Sequence, residues 1–183
     1  MMEKSCDNCL FTKISLHREP CVECHGDFTE WRERGIGFAI VPTKLTNTTD
    51  SIFLPYRKHA NDAGADLRAR IEQPIRLHPG EIRRIPTGIG ISIPEGYVGL
   101  IQPRSGASGE GKLVITGTID AGYTGEMSMN VLNPLDSNYV VINPKERIAQ
   151  LVIVPYLKAG FEQVDELPES DRGTNGFGSS GNK

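Results

Sequence analysis

The sequence predicts an all-β protein whose strands pair antiparallel in a sandwich or a barrel. Its 183 residues include 20 glycines and 12 prolines, a density of helix breakers that helical bundles rarely tolerate. Short apolar stretches recur about every ten residues with turn residues between them, and none extends into a long helix. A hydrophobic fraction of 38% and a charged fraction of 23% are typical of a globular chain with its own core.

The strands are assigned in order from these apolar stretches. The first is GFAIV at 37–41, whereas SIFLPY at 51–56 suits an edge strand or a loop because Pro55 interrupts it. The other predicted strands are 88–96, 97–101, 112–120, 125–133, 139–143 and 147–156. This regular spacing indicates antiparallel neighbours.

The segments 112–120 and 125–133 are predicted to form a hairpin around the turn sequence AGYT. Met127, Met129 and Val131 alternate along the second strand, so they should share one buried face. Asp120 and Tyr123 would then lie near the tip of the hairpin.

Composition divides the chain into three parts. Residues 1–34 contain every cysteine, 35–165 form the predicted β core, and 166–183 form a flexible C-terminal arm. The arm is rich in Gly and Ser, which favours disorder of the isolated segment. It also contains Arg172 and Phe177, and a guanidinium and an aromatic ring suit a phosphate and a flat base. We therefore expect the arm to become ordered as a lid over a nucleotide.

Two CxxC pairs indicate a small metal-binding segment at the N-terminus. Cys6 and Cys9 form the first pair, Cys21 and Cys24 form the second, and eleven residues separate the pairs. Two such pairs can place four thiolates tetrahedrally around zinc, and a neighbouring histidine could replace one thiolate. Two disulfides or reduced thiols in an unstructured tail are the alternatives, and a reducing compartment disfavours the first. We expect a structural Zn²⁺ site, since four thiolates leave no coordination position open for catalysis.

Charge and hydropathy exclude several classes of function. The formal net charge of −3 at pH 7 argues against a general nucleic-acid coat or a basic membrane-surface protein. The longest aliphatic run, 151–154, is far too short to span a membrane, and the N-terminus has no apolar stretch typical of a secretion signal. We therefore expect a cytoplasmic protein that does not contact a membrane.

Four short segments contain groups suited to phosphate chemistry. Asp66 follows a small-residue turn in DAGADLRA, and PRSG at 103–106 combines groups that could cradle an anion within a loop. Asp120 and Tyr123 lie in GTIDAGYTGE, and Gln150 lies in RIAQ. Taken alone, each segment is more often a turn or a packing element than a functional site.

Together and in this order, the segments resemble the homotrimeric deoxyuridine triphosphatase (dUTPase) family. The five motifs of that family match DAGADL, PRSG, GTIDAGYTGE, RIAQL and RGTNGFGSSG, and the linking stretch at 79–102 is also typical of it. The resemblance covers roughly residues 36–183, so the cysteine segment inherits nothing from it.

The resemblance implies a jelly-roll, or distorted β-barrel, homotrimer with shared active sites. Such enzymes use Mg²⁺ to hydrolyse dUTP to dUMP and pyrophosphate, which removes dUTP and supplies dUMP for thymidylate synthesis. Asp120 matches the aspartate that deprotonates the water attacking the α-phosphorus, a role open to a carboxylate ionised at neutral pH. Asp66 matches the residue that holds a water on the magnesium. The residues that match phosphate contacts are Arg104, Ser105, Gly106, Gln150, Arg172, Ser179 and Ser180.

The resemblance also implies how the nucleotide is selected. Tyr123 matches the ring packed beneath the deoxyribose, where no room remains for a 2′-hydroxyl. Backbone groups from Leu113 to Gly117 match the segment that reads uracil, and mismatched buried polar groups would reject cytosine. Phe177 matches the ring that stacks on uracil, beside Gly178 as a further substrate contact.

Two alternatives compete with this interpretation. A dCTP deaminase of the same fold needs a catalytic glutamate ten residues after the third-motif aspartate, and Asn130 occupies that position. An amide cannot shuttle the proton that deamination requires. A regulatory binding protein would use the nucleotide site as a switch and the cysteine segment to contact an unidentified protein partner. The complete set of motifs favours the hydrolase and leaves a second role open.

Overall fold

The structure is a computed structural model that describes residues 41–115, 117–170 and 173. The predicted strand at 37–41 therefore lies outside the described residues except for Val41. Within the described ranges, no helix is long and apolar enough to cross a membrane.

Nearly all of the regular secondary structure in the described part of the chain is strand, which confirms the all-β prediction. The strands are β1 (Thr43–Leu45), β2 (Ala65–Arg68), β3 (Ile75–Leu77), β4 (Ile82–Pro86), β5 (Ile89–Ile91), β6 (Tyr97–Pro103), β7 (Leu113–Ile115), β8 (Gly117–Ile119), β9 (Ser128–Leu132), β10 (Val140–Ile142) and β11 (Arg147–Pro155). A short α-helix, α1, spans Ser105–Gly109. SIFLPY begins with a 3₁₀ turn at Ser51–Phe53, consistent with a loop.

Every strand pair in the described residues is antiparallel. The largest sheet has the order β2-β11-β6-β8, and a second sheet has the order β4-β9-β7. Two further pairs join β1 to β5 and β10 to β3. The long strand β11 lies between β2 and β6, and it thereby brings together segments that are far apart in the sequence.

The prediction of a single strand over 112–120 is wrong. The segment forms two strands in different sheets, because β7 pairs with β9 whereas β8 pairs with β6. Gly117 begins β8, and a glycine eases such a change of direction. In the described pairings β8 and β9 do not pair with each other. Residues 120–127 therefore connect two sheets and are not the tip of a simple hairpin.

Two further differences concern elements that the apolar pattern does not predict. Strands β3 and β4 were not expected, because arginines interrupt their apolar character. The PRSG segment was expected to be a loop, but Arg104 is extended and α1 begins at Ser105. The buried Ala107 anchors this helix to the core despite its two glycines.

The core is aliphatic and includes the face predicted for β9. Met127, Met129 and Val131 are buried, as their alternation predicts. Burying such a side chain contributes about 1.5–3 kcal/mol relative to leaving it exposed. Lys112 is also buried, and its ammonium pairs with Glu110 (Nζ–Oε2 2.7 Å) and with Glu146. Burial lowers the pKa of Lys112, but the two carboxylates outweigh burial and raise it.

Candidate active site

The first candidate cluster lies where β2, β11 and β6 meet. Both neighbours of Asp66 on β2 are buried, so Asp66 and Arg68 project from the other face of the strand. Gln150 on β11 lies opposite Asp66, and Arg104 follows directly after β6. The fold thus brings together three of the residues that the sequence singled out.

Two guanidinium groups hold the Asp66 carboxylate. Arg104 Nε lies 2.6 Å from Oδ1, and Arg147 Nη1 donates to Oδ2 over 2.9 Å. Arg104 Nη1 also donates to the main-chain carbonyl of Arg147 at 3.1 Å. The Asp66 side chain is 13% exposed, so these charge-assisted bonds are partly shielded from water and hold the three side chains together.

Positive charge exceeds negative charge in this cluster, because Arg104 and Arg147 face the single carboxylate of Asp66 and Arg68 adds a third guanidinium group. Arg68 lies opposite Arg147 in the strand pairing and donates to the Lys145 carbonyl at 2.8 Å. Burial lowers the pKa of Arg68, and repulsion from Arg147 and Arg104 adds to this while Asp66 opposes it. A surplus of guanidinium groups attracts anions. Sequence reasoning missed Arg68, although its two-residue spacing from Asp66 on a strand was the available signal.

Gly64 allows Gln150 to lie against the turn that precedes β2. Gln150 Nε2 donates to the Pro103 carbonyl at 3.0 Å, which fixes the orientation of the amide. A Cβ at Gly64 would lie 2.1 Å from Gln150 Oε1, far inside van der Waals contact. A larger residue at this position would therefore displace the Gln150 side chain.

Ser105 and Gly106 lie at the start of α1, immediately after Arg104. Both are exposed, and the space around the Gly106 α-carbon is open. A hydroxyl and main-chain amides next to a guanidinium can donate hydrogen bonds to an anion.

A second candidate cluster surrounds a groove of about 300 Å³. Asp120 and Tyr123 line this groove together with Gly117, Asn130 and Arg84. The Asp120 side chain is exposed and follows directly after β8. The connection between β8 and β9 therefore presents a carboxylate and an aromatic ring on one surface.

Glycines and main-chain hydrogen bonds shape this connection. The Tyr123 amide donates to the Asp120 carbonyl at 3.1 Å, closing a turn in which Gly122 has a φ of 91°. The Tyr123 hydroxyl donates to the Glu126 carbonyl at 3.1 Å. A Cβ at Gly125 would lie 2.8 Å from the Tyr123 ring carbon Cζ, so the ring folds over a position that only glycine fits.

The two clusters lie far apart within one chain. Through its pairing with β11, Asp66 is level with Gln102 of β6. Ile119, the residue before Asp120, is level with Gly99 of β6. Asp66 and Asp120 are therefore separated by three strand spacings of about 4.8 Å across the sheet and by four residues of about 3.4 Å along the strands. The two perpendicular separations combine to roughly 20 Å. The structure does not bring these two predicted site residues together within a single chain.

Several predicted site residues lie outside the described residues. They are Cys6, Cys9, Cys21, Cys24, Arg172, Phe177, Gly178, Ser179 and Ser180. Of the C-terminal arm, residues 166–170 and 173 are described, and they are exposed with neither strand nor helix.

Among the described residues, those around Asp66 could bind a metal ion only together with the phosphates of a ligand. Among them, no group of three or more His, Cys, Asp or Glu side chains is placed to bind a metal ion. Asp66 is a single carboxylate next to an anion-attracting cluster. Mg²⁺ commonly binds through one or two carboxylates, several waters and the phosphates of a substrate. The donor set around Asp66 therefore suits magnesium that arrives with a nucleotide.

The fold and the two clusters define an all-β protein equipped to bind a phosphorylated ligand. A protein-family model described as dUTPase matches residues 50–181. The chain therefore belongs to the dUTPase family.

Curated relatives match most of the chain over most of their own length. The deoxyuridine 5′-triphosphate nucleotidohydrolase of Leifsonia xyli is 48% identical over 131 residues, covering 70% of this chain and 85% of the relative. The enzyme of the same name from Maricaulis maris is 40% identical over 150 residues, covering 78% of this chain and 98% of the relative.

Solved phage structures share the fold. A mutant of the Staphylococcus bacteriophage 80alpha dUTPase, solved with dUpNHpp, is 34% identical with a TM-score of 0.70, and the match covers 79% of this chain and 99% of that one. A mutant dUTPase of the S. aureus phage phi11 is 31% identical with a TM-score of 0.63, and the match covers 72% and 100%. The phi11 structure is described as revealing the coordination of a structural Mg(II) ion.

Proposed function

We propose that this protein is a dUTP diphosphatase, which hydrolyses dUTP to dUMP and pyrophosphate with Mg²⁺. The observation that carries the proposal is the meeting of Asp66, Arg104 and Gln150 in one anion-attracting cluster, although they are far apart in the sequence. Family membership and the length matched by relatives named for this reaction support it.

The residues of the first cluster bind and orient the triphosphate. The Arg104 guanidinium donates hydrogen bonds to phosphate oxygens. Ser105 and Gly106 donate to the oxygen that bridges the α- and β-phosphorus, where negative charge develops as its bond to the α-phosphorus breaks. Gln150 contacts a further phosphate oxygen with its fixed amide. Asp66 would hold a magnesium ion through a water, and the ion would supply positive charge that neutralises the phosphates.

Asp120 supplies the base of the reaction. Its exposed carboxylate accepts a proton from a water that attacks the α-phosphorus in line with the departing pyrophosphate. The new bond forms between the water oxygen and phosphorus, and the bond to the bridging oxygen breaks. Replacing the carboxylate by an amide removes the proton acceptor but preserves its shape.

Tyr123 and the main chain of β7 and β8 select the nucleotide. Tyr123 packs beneath the deoxyribose and excludes a 2′-hydroxyl by contact. In the described sheets, β7 and β8 are both edge strands, so residues 113–115 and 117 have main-chain groups on the outer side that suit the polar edge of uracil. We propose that Phe177 stacks on the uracil ring and that Gly178 contacts the nucleotide beside it. Arg172, Ser179 and Ser180 are proposed to contact the phosphates.

A homotrimer with shared active sites is part of the same proposal, and the separation of the two clusters supports a site shared between chains. Asp66 and Asp120 are roughly 20 Å apart along the sheet of one chain, too far for both to serve one phosphate group. A complete site therefore needs one cluster from each of two chains, in the jelly-roll trimer that the family resemblance implies. Light scattering of the purified protein tests this, and a fully active monomer would contradict it.

The N-terminal segment is proposed to bind structural zinc through Cys6, Cys9, Cys21 and Cys24. Metal analysis of the purified chain, compared with a variant in which the four cysteines are serines, tests this site independently of nucleotide hydrolysis. One equivalent of zinc per chain in the parent and none in the variant is the expected result.

Deamination of dCTP is the competing reaction. Asn130 lies exposed on β9 and lines the groove beside Asp120, so an amide stands where the deaminase would need its glutamate. A regulatory role remains a second hypothesis. It rests on the cysteine segment, so deletion of residues 2–34 should leave turnover intact and remove any partner that the full chain retains.

Pyrophosphate release across a panel of nucleotides tests the proposed reaction. A coupled phosphate assay with pyrophosphatase should give turnover with dUTP and none with dTTP, dCTP or UTP. Equal turnover of all four nucleotides, or release of ammonia from dCTP, would reject the proposal.

A further inference from the structure

We propose that Arg70 and Glu126 form a positioning pair that fixes the 120–126 loop, and with it the Tyr123 ring that separates deoxyribose from ribose. The kinetic test of this inference rests on the proposed function. Its structural test, amide hydrogen exchange without nucleotide, does not rest on that function, because the contacts form in the absence of a ligand.

The Glu126 carboxylate is the most heavily bonded group near the loop. Its Oε1 accepts from Arg70 Nε at 3.0 Å and from the Gly88 amide at 2.9 Å. Its Oε2 accepts from Arg70 Nη2 at 3.5 Å and from Asn47 Nδ2 at 3.2 Å. The two side chains of the pair are 26% and 21% exposed, so their charge-assisted bonds are only partly screened by water.

The loop is not anchored by buried side chains, which leaves this pair as the side-chain anchor at its base. From 120 to 125 none of the residues is buried, and the first buried residue after them is Met127. Hydrophobic burial therefore cannot fix the loop, and the last point at which side chains attach it to the body is Glu126.

Close backbone packing shows where Glu126 docks the loop. The Met127 amide donates to the Ile89 carbonyl at 2.9 Å, and the Thr87 hydroxyl donates to the Met127 carbonyl at 2.8 Å. A Cβ at Gly90 would lie 2.7 Å from the Thr124 carbonyl oxygen. The base of the loop thus packs directly against the main chain of β5, with no room for a side chain at Gly90.

Tyr123 is coupled to this base through Glu126 itself. Its hydroxyl donates to the Glu126 main-chain carbonyl at 3.1 Å while the carboxylate of the same residue holds Arg70. A movement of Glu126 therefore moves the carbonyl that accepts the hydrogen bond from the Tyr123 hydroxyl, and the position of the ring changes with it. Glu126 lines the same groove as Tyr123, but neither Arg70 nor Glu126 is among the residues proposed to contact the reacting phosphate, so both are assigned as positioning residues.

Glu126→Gln is the primary test, because it keeps the shape and the bond from Gly88 but removes the charge. Glu81→Gln is the matched control, since Glu81 also accepts from an arginine, Arg83, and from a main-chain amide, that of His78 (2.9 Å). This control pair lies outside the groove. Kinetics with dUTP and UTP would be measured on both variants in the full chain, together with amide hydrogen exchange without nucleotide.

We expect Glu126→Gln to lower the ratio of kcat/KM for dUTP over UTP by about tenfold, because a ring displaced by a fraction of an ångström no longer excludes the 2′-hydroxyl. Exchange of the Tyr123 and Gly88 amides should rise about tenfold, as local opening becomes easier. Glu81→Gln should change neither quantity. Replacing both Arg70 and Glu126 by alanine should cost no more selectivity than the worse single alanine variant, because the two act as one unit.

A dUTP-to-UTP ratio and exchange rates in Glu126→Gln that equal those of Glu81→Gln would overturn the proposal. If the parent chain lacks dUTP turnover, the proposed function fails, while the exchange measurement still decides the positioning role. Should Glu126→Gln not fold, Arg70→Lys tests the pair from the other side, because lysine keeps the charge but loses the two bonds that Arg70 donates to Glu126, and the same loss of selectivity and protection is expected.

Discussion

The two halves of the candidate site are held in different ways. Around Asp66, charged side chains at the site itself hold one another, since Arg104 and Arg147 both bind its carboxylate. Around Asp120, the main chain and glycines shape a loop whose carboxylate stays exposed, and the Arg70–Glu126 ion pair lies only at the base of that loop. In the proposed function, the arginines of the first half must exchange the Asp66 carboxylate for phosphate, whereas the Asp120 carboxylate of the second half is already exposed to water. Phosphate binding and proton transfer thus make different structural demands.

Replacing Asp120 by Asn should have the largest effect on turnover and little effect on binding. The amide keeps the shape of the exposed side chain but cannot accept a proton, so kcat should fall at least about 10³-fold. Pyrophosphate release measures kcat, and calorimetry with a non-hydrolysable imido analogue of dUTP measures binding. Asp136→Asn, another exposed aspartate, is the control and should retain full turnover. Turnover in Asp120→Asn above one tenth of the parent would refute its role as the base.

Removing residues 170–183 should have the next largest effect, again on turnover. The arm supplies Arg172 and Phe177 as proposed contacts to both ends of the nucleotide, so kcat/KM should fall about 100-fold. The described residues 166–170 are exposed, so the melting temperature should change little. Removal of residues 182–183 alone is the control. A large drop in melting temperature in the longer truncation would count against a lid.

The sequence predicted the all-β class and the separate site segments better than their spatial arrangement. Asp66 and Gln150 each stood out locally, but only the pairing of β2 with β11 shows that they meet. The alternation of Met127 and Met129 predicted a buried face because a strand has a fixed period of two.

The arrangement of 112–120 could not be predicted for a physical reason. Strand pairing depends on partners distant in the sequence, and the alternation within β7 and β8 is the same whether they lie in one sheet or two. The prediction of one hairpin therefore failed at Gly117, although Asp120 and Tyr123 do share a surface as expected. Arg68 was missed because an arginine on a strand usually marks only a solvated face.

Gly64→Ala should affect the half around Asp66 and leave the half around Tyr123 unchanged. The new Cβ would lie 2.1 Å from Gln150 Oε1, so the amide must move away from its bond to the Pro103 carbonyl. We expect KM for dUTP to rise about tenfold and stability to fall by about 1–3 kcal/mol, as is usual for overpacking. Kinetics and urea unfolding measure the two effects.

Gly160→Ala is the matched control for this change, because nothing lies within 4 Å of a Cβ there. The ratio of kcat/KM for dUTP over UTP should stay at the parent value in Gly64→Ala, since Tyr123 belongs to the other half. A changed ratio with an unchanged KM would mean that the two halves are not independent.

The smallest expected effect is a dependence of stability on pH that arises at Glu126. Burial disfavours the charged carboxylate, but the bonds from Arg70 and the Gly88 amide outweigh burial and hold the pKa of Glu126 below its ordinary value of 4.5. Because the folded pKa lies below the unfolded one, the stabilisation is complete above the unfolded pKa and is lost as pH falls through the folded pKa. The parent chain should therefore lose its advantage in melting temperature over Glu126→Gln as pH falls from 7 to 3. If the difference in melting temperature between the parent and Glu126→Gln stays constant over this range, the charge of Glu126 contributes nothing to holding the loop. The half of the site around Asp120 would then be held by main-chain contacts alone, in contrast to the ion pairs around Asp66.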